Sequence, residues 1–170
     1  MDIRTIAIIA VAIAATAYDL RSRRVPNVLT FGAAGAAFGY YLTIGGMSAL
    51  GWSAGGWLLA VALFFPFFAL RGLGAGDVKL LGAFGAWLGP MGALHLGFFT
   101  AAAGGLMAVI IVLARGVFRQ TFVNLWALLL FWKGAGLRPM PSLTLESSFS
   151  PRLAYALPIA AGALTTLWLK

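Results

Sequence analysis

The sequence lacks cysteine altogether, carries one histidine, and has only four acidic residues among 170. Without cysteine there are no disulfides, thiolate metal sites or cysteine nucleophiles. With His95 alone, a Ser-His-Asp arrangement or a histidine-based zinc site has almost nothing to be built from. Charge is scarce as a whole: 9% of residues are charged and 62% hydrophobic, whereas a soluble domain carries roughly a quarter charged residues. Such a composition cannot cover a water-facing surface, so the chain reads as a single domain, residues 1–170, within a membrane. The twelve Lys and Arg give a formal charge of +8. They punctuate apolar runs instead of forming a basic face, so nucleic acid is not an expected partner.

Long charge-free runs are what the sequence has in excess. Val25 to Leu70 contains no charge, and Leu80 to Ala114 holds only His95 as an ionisable group. Each is too long for one crossing, since about 20 helical residues span the hydrocarbon core. Gly45-Gly46 and Gly89-Pro90 are the natural breaks. The reading is all-α with six transmembrane helices: Thr5 to Tyr18, Val28 to Ile44, Leu50 to Leu70, two spans meeting near residues 89 to 95, and Leu153 to Leu169. Pro66 within the third is tolerable where neighbouring helices surround it. Thr121 to Trp132, bounded by Arg119 and Lys133, is too short to span and is expected to lie in the interface. Residues 134 to 152 read as a polar cytoplasmic loop.

Lys and Arg near span ends are retained in the cytoplasm. With the N-terminus outside, only Arg4 and Lys170 lie outside, and Arg21, Arg23, Arg24, Arg71, Lys79, Arg115, Arg119, Lys133, Arg138 and Arg152 lie inside. The opposite topology reverses that count. The first apolar stretch also resembles a cleavable signal around Ala15-Thr16-Ala17, but it runs straight into Asp19 and a basic cluster, as an anchor does.

Of the four acids, Asp2 and Glu146 fall in polar surroundings, whereas Asp19 and Asp77 fall at the inner ends of two spans. Ionisable groups at membrane depth suggest function. The bland alternative pairs Asp19 with Arg21 or Arg23, and Asp77 with Lys79. Two adjoining carboxyls can share a proton, one serving as base and the other as acid, which is the logic of water activation against a peptide carbonyl. Beside Asp77, the stretch Gly74-Ala75-Gly76 is expected to supply positive φ and close approach to a bound peptide. It lacks the spacing of a phosphate loop. Beyond Asp19, Pro26-Asn27 is expected to end a turn and cap the second helix.

Asp19-x-Arg21 with Pro26-Asn27, followed by Gly74-x-Gly76-Asp77-x-Lys79, resembles the type IV prepilin peptidases, membrane aspartic endopeptidases of the GxGD class. The resemblance implies that Asp19 and Asp77 are the catalytic pair, that Gly74 and Gly76 lie beside the substrate, and that Arg21, Pro26, Asn27 and Lys79 support the site. It implies cleavage of a basic leader from prepilin or pseudopilin substrates at the cytoplasmic face of a bacterial inner membrane, with no cofactor or metal. The missing cysteines and short length resemble the peptidase-only form of tight-adherence (Flp-type) pili, without N-methyl transfer. The competing class is a small proton- or cation-coupled transporter or channel subunit using the same aspartates. The Gly-xxx-Gly pairs at 35/39, 51/55 and 85/89 permit close helix contact. The six tryptophans fall mostly near expected span ends, as interfacial aromatics do.

Overall fold

The computed structural model describes residues 2–138 and 154–169, and all the regular structure in them is helical. The elements are α1 (Ile3–Ser22), α2 (Asn27–Ala69), α3 (Ala75–Arg115), α4 (Phe118–Ala135) and α5 (Ala156–Trp168). Three of them, α1, α2 and α3, are long and apolar enough to cross a membrane.

Two of these elements are each a pair of helical segments joined at a bend, where the sequence placed its breaks. In α2 the backbone leaves helical geometry at Gly45 and Gly46, and Gly46 takes φ 61 with ψ −151, a region open essentially to glycine. In α3 the break is Gly89, at φ 71 and ψ −178, followed by Pro90. Side-chain partners give the direction of each segment. Ascending α3 from residue 76 to 87, the partners in the turn before α2 and in its first half ascend too: Val25 beside Gly76, Asn27 on Lys79, then Ala33 and Tyr41 on Trp87. In the second half of α2 they descend, from Val61 and Trp57 at Gly82 to Trp52 at Gly89. The chain of α2 therefore reverses at Gly45-Gly46. Beyond the second bend, Pro90 meets Gly55 and Gly97 meets Leu63 and Phe64, so α3 reverses as well. Finally α5 runs antiparallel to the second half of α3, with Tyr155 at Gly104 and Gly162 at Thr100.

Small residues bring these segments together. A Cβ at Gly56 would overlap the Gly85 carbonyl and one at Gly85 would overlap the Gly56 carbonyl, so the two backbones touch. Ala12, Ala15, Ala37, Ala60, Ala83, Ala86 and Ala163 fill much of the remaining core. Of the three Gly-xxx-Gly pairs, only Gly85 and Gly89 make such close contacts. A methyl added at Gly35, Gly39 or Gly51 would have nothing within 4 Å, and one at Gly55 would meet only the Pro90 ring. Among the tryptophans, Trp87 departs from the interfacial expectation. Trp87 is 4% exposed and donates its Nε1–H to the Ala33 carbonyl at 3.0 Å, while the exposed Trp52 packs tilted against Tyr41 with ring centres 5.1 Å apart. An indole with a buried acceptor is as stable in a core as at an interface. Trp126 and Trp168 are exposed.

The outside of the bundle is apolar. Ile13, Phe31, Phe98, Leu106 and Leu113 are all more than half exposed, a surface that water would not tolerate and lipid would. Along α4, Phe118, Phe122, Val123, Leu125, Trp126, Leu129 and Leu130 are exposed too. The polar loop expected over residues 134 to 152 falls largely outside the described residues.

Candidate active site

Both aspartates lie one helical turn inside the helices that the sequence reading ended or began beside them. An apolar span stops at the first charge, but a helix need not, because its backbone groups still require partners at the membrane boundary. Thus α1 runs on to Ser22, and Arg23, left-handed at φ 54, closes it by donating its N–H to the Asp19 carbonyl. Asp19 is buried, with 5% of its surface exposed. A carboxylate in the last turn of a helix opposes the macrodipole. Here the first turn of α5 offsets that disadvantage, because the Ala156 N–H donates to Asp19 Oδ2 at 3.0 Å.

Asp77 has the opposite helix position, the third residue of α3, where the dipole favours an acid. Its Oδ2 accepts the Gly74 N–H at 3.3 Å, the half of a capping box that a glycine N-cap can make. The two acids, 58 positions apart, lie at the same end of the bundle and within electrostatic reach of each other. Tyr155, at the start of α5, lies within electrostatic reach of Asp77. Helix α5 is the part of the site that sequence reasoning missed: its run of small and apolar residues signals a helix and nothing of its neighbours.

The glycines act differently from expectation. Gly74 has φ −75 and ψ 148, and Gly76 lies within the helix, so neither uses positive φ. Gly74 leaves room for the Asp77 carboxyl: a Cβ there would come 2.9 Å from Asp77 Oδ2, and the carboxyl would have to shift. At Gly76 a Cβ would meet Val25 at an ordinary 3.6 Å. Asn27 does not cap α2 either. Pro26 is the N-cap residue, without a side-chain cap bond, and Asn27 is the first helical residue. Its Oδ1 instead accepts Lys79 Nζ at 2.9 Å. Lys79, suggested as a partner of Asp77, points elsewhere because residues two apart on a helix are separated by about 200°. Its ammonium sits 5.1 Å from the centre of the Phe31 ring. Arg21 is exposed at the end of α1.

Of the other acids, Asp2 accepts Arg4 Nε at 2.6 Å, a hydrogen bond that holds its carboxyl below the ordinary value. Glu146 lies outside the described residues. His95 lies on an exposed face of α3, near the bend at Gly89 and away from both aspartates.

Comparison with known proteins rests on one match. No curated protein and no solved structure matches the chain. The sequence model of the type IV leader peptidase family matches residues 6–113, which include Asp19, Asp77, the whole of α2 and all but the last two residues of α3. A membrane protein of apolar helices with two acids gathered at one end, matched over more than half its length, belongs to the type IV leader peptidase family.

Proposed function

We propose that the chain is an aspartic endopeptidase in which Asp19 and Asp77 activate one water to cut the leader from prepilins of the Flp type. The observation that carries this reading is the placing of two acids from separate helices at one end of the bundle, within electrostatic reach of each other and each steadied through Oδ2 by a backbone N–H. With one proton between them, the ionised acid removes a proton from water as its oxygen attacks the scissile carbonyl. The protonated acid donates to the carbonyl oxygen. Collapse of the tetrahedral intermediate expels the amine, which leaves with the proton taken from water, and the pair returns to its starting state. Neither step calls for a metal or a nucleophilic side chain.

The six helical segments of α1, α2, α3 and α5 each cross the bilayer in this reading, with the N-terminus outside and the aspartates at the cytoplasmic face. Alternating segment directions and the distribution of cations support it. The exposed apolar α4, with Arg119 in its first turn and Lys133 in its last, lies in the inner interface. A precursor with a basic leader and an apolar helix docks from the side, its helix in lipid and its scissile bond at the depth of the acids. Gly74 and Gly76 line that approach. The family match favours a peptidase over a carrier. The absence of cysteine supports a peptidase without methyl transfer.

The test is cleavage of a purified Flp-type pilin precursor by the purified chain in detergent, followed by mass analysis. A product cut ahead of the apolar segment, lost in Asp19→Asn and in Asp77→Asn at unchanged expression, is the expected result. Activity that survives either substitution overturns the dyad.

A further inference from the structure

We infer that Lys79 and Asn27 form a clasp that holds the Asp77 helix in register with the start of α2, the segment that follows the Asp19 helix, making both of them positioning residues for the dyad. The inference rests on the dyad reading for its effect on catalysis, but the clasp itself is a geometric claim. Lys79 lies two residues beyond Asp77, and Asn27 opens the helix that follows the Asp19 segment. Their hydrogen bond, 2.9 Å from Nζ to Oδ1, joins positions 52 apart.

The aromatic ring of Phe31, one turn along α2 from Asn27, holds the ammonium from a second side at 5.1 Å. The ring is itself 55% exposed on the apolar outside of the bundle. A cation gripped by an amide oxygen and a ring face has little freedom to swing toward Asp77, which occupies the other side of the helix. The buried Val25 against Gly76 is the apolar half of the same junction. The clasp therefore ties the start of α2 to the start of α3 at the level of the acids. Its charge is spent on α2 and not on tuning the dyad.

The cysteine-free background allows a test without substrate. A Cβ at Gly76 would stand 3.6 Å from that of Val25, within the range a disulfide needs. The full-length Val25→Cys/Gly76→Cys chain in detergent is expected to crosslink on mild oxidation. The rate should fall about fivefold or more when Lys79→Met or Asn27→Ala is added, and should recover in the exchanged pair Asn27→Lys/Lys79→Asn. On the chain without added cysteines, with a precursor peptide of basic leader and apolar helix as probe, each single variant is expected to lose kcat about tenfold at unchanged KM. The double variant Lys79→Met/Asn27→Ala should be no worse than either, and both limbs of the pH profile should stay in place. Crosslinking at the parental rate in Lys79→Met overturns the clasp. So does a loss of kcat accompanied by a shifted pH limb, which would mean that Lys79 acts on the acids through its charge. If crosslinking behaves as expected but the parental chain cleaves no precursor, the clasp stands and the catalytic reading falls.

Discussion

The two ends of the bundle are built from different materials. At the end holding the bends, Gly46 and Gly89 turn the chain back on itself, and Tyr40, Tyr41, Trp52 and Trp87 pack over the reversal. Its polar groups are satisfied by one another: Tyr41 donates to the Trp87 carbonyl at 2.9 Å, and Ser53 donates to the Ala86 carbonyl at 2.7 Å. At the other end, two helix termini and two connecting turns surround two acids, whose hydrogen bonds come from backbone N–H groups in α5 and in the turn before α3. Stability should therefore be concentrated at the first end and chemistry at the second. Substitutions that respect this division ought to separate folding from cleavage.

The largest expected effect is at the acids. Asp19→Asn and Asp77→Asn should each reduce precursor cleavage by about a thousandfold or more, the scale of lost acid–base catalysis. Thermal unfolding in detergent should shift little, because an amide oxygen can still accept the Ala156 or Gly74 N–H. A large loss of stability in either variant would break the comparison. Cleavage should persist in chelator, and the dependence of kcat on pH should be bell-shaped, as one shared proton requires.

The next effect belongs to the bend end and should appear in stability alone. Gly89→Ala places a methyl into the Trp52 ring at a positive φ, and should cost about 2–5 kcal/mol by thermal or denaturant unfolding in detergent. Gly46→Ala meets open space and keeps only the conformational penalty, about 1–3 kcal/mol. Gly35→Ala, with neither restriction, should lie within about 0.5 kcal/mol of the parent.

The smallest effects sharpen the boundary within the site. Gly74→Ala crowds Asp77 Oδ2 and should lower kcat about tenfold while shifting stability by less than about 1 kcal/mol. Gly76→Ala fits beside Val25, so the chain should fold normally. If substrate backbone passes close to this glycine, KM should rise several-fold in steady-state cleavage assays. Equal kcat losses in both variants would merge two roles that the geometry separates.

Much of this was legible in one dimension. Charge-free runs too long for one crossing, interrupted by Gly45-Gly46 and Gly89-Pro90, located both reversals, because backbone breaks depend on local residue type. Asp19 and Asp77 stood out because a charge beside an apolar run is rare enough to need a reason. The partners of these residues were not legible. In helices apolar on every side, periodicity does not say which face meets which neighbour. Trp87 consequently read as interfacial although it is buried, and the sequence could not separate Gly35, which has open space beside it, from Gly85, which touches a backbone. Lys79 is an intermediate case, since the angle between positions 77 and 79 on a helix already argues against their pairing. The Ala156 bond to Asp19 had no local signature at all.

That last bond gives the molecule an order of completion. Both acids are in place once residue 77 has been joined, yet the group that orients the earlier one follows it by 137 positions. A nascent chain halted after α4 holds both carboxyls of the dyad and lacks the amide that aims Asp19. If the dyad is the catalytic pair, competence to hydrolyse is expected only when α5 has threaded into the bundle, long after the ribosome has finished with the acids themselves.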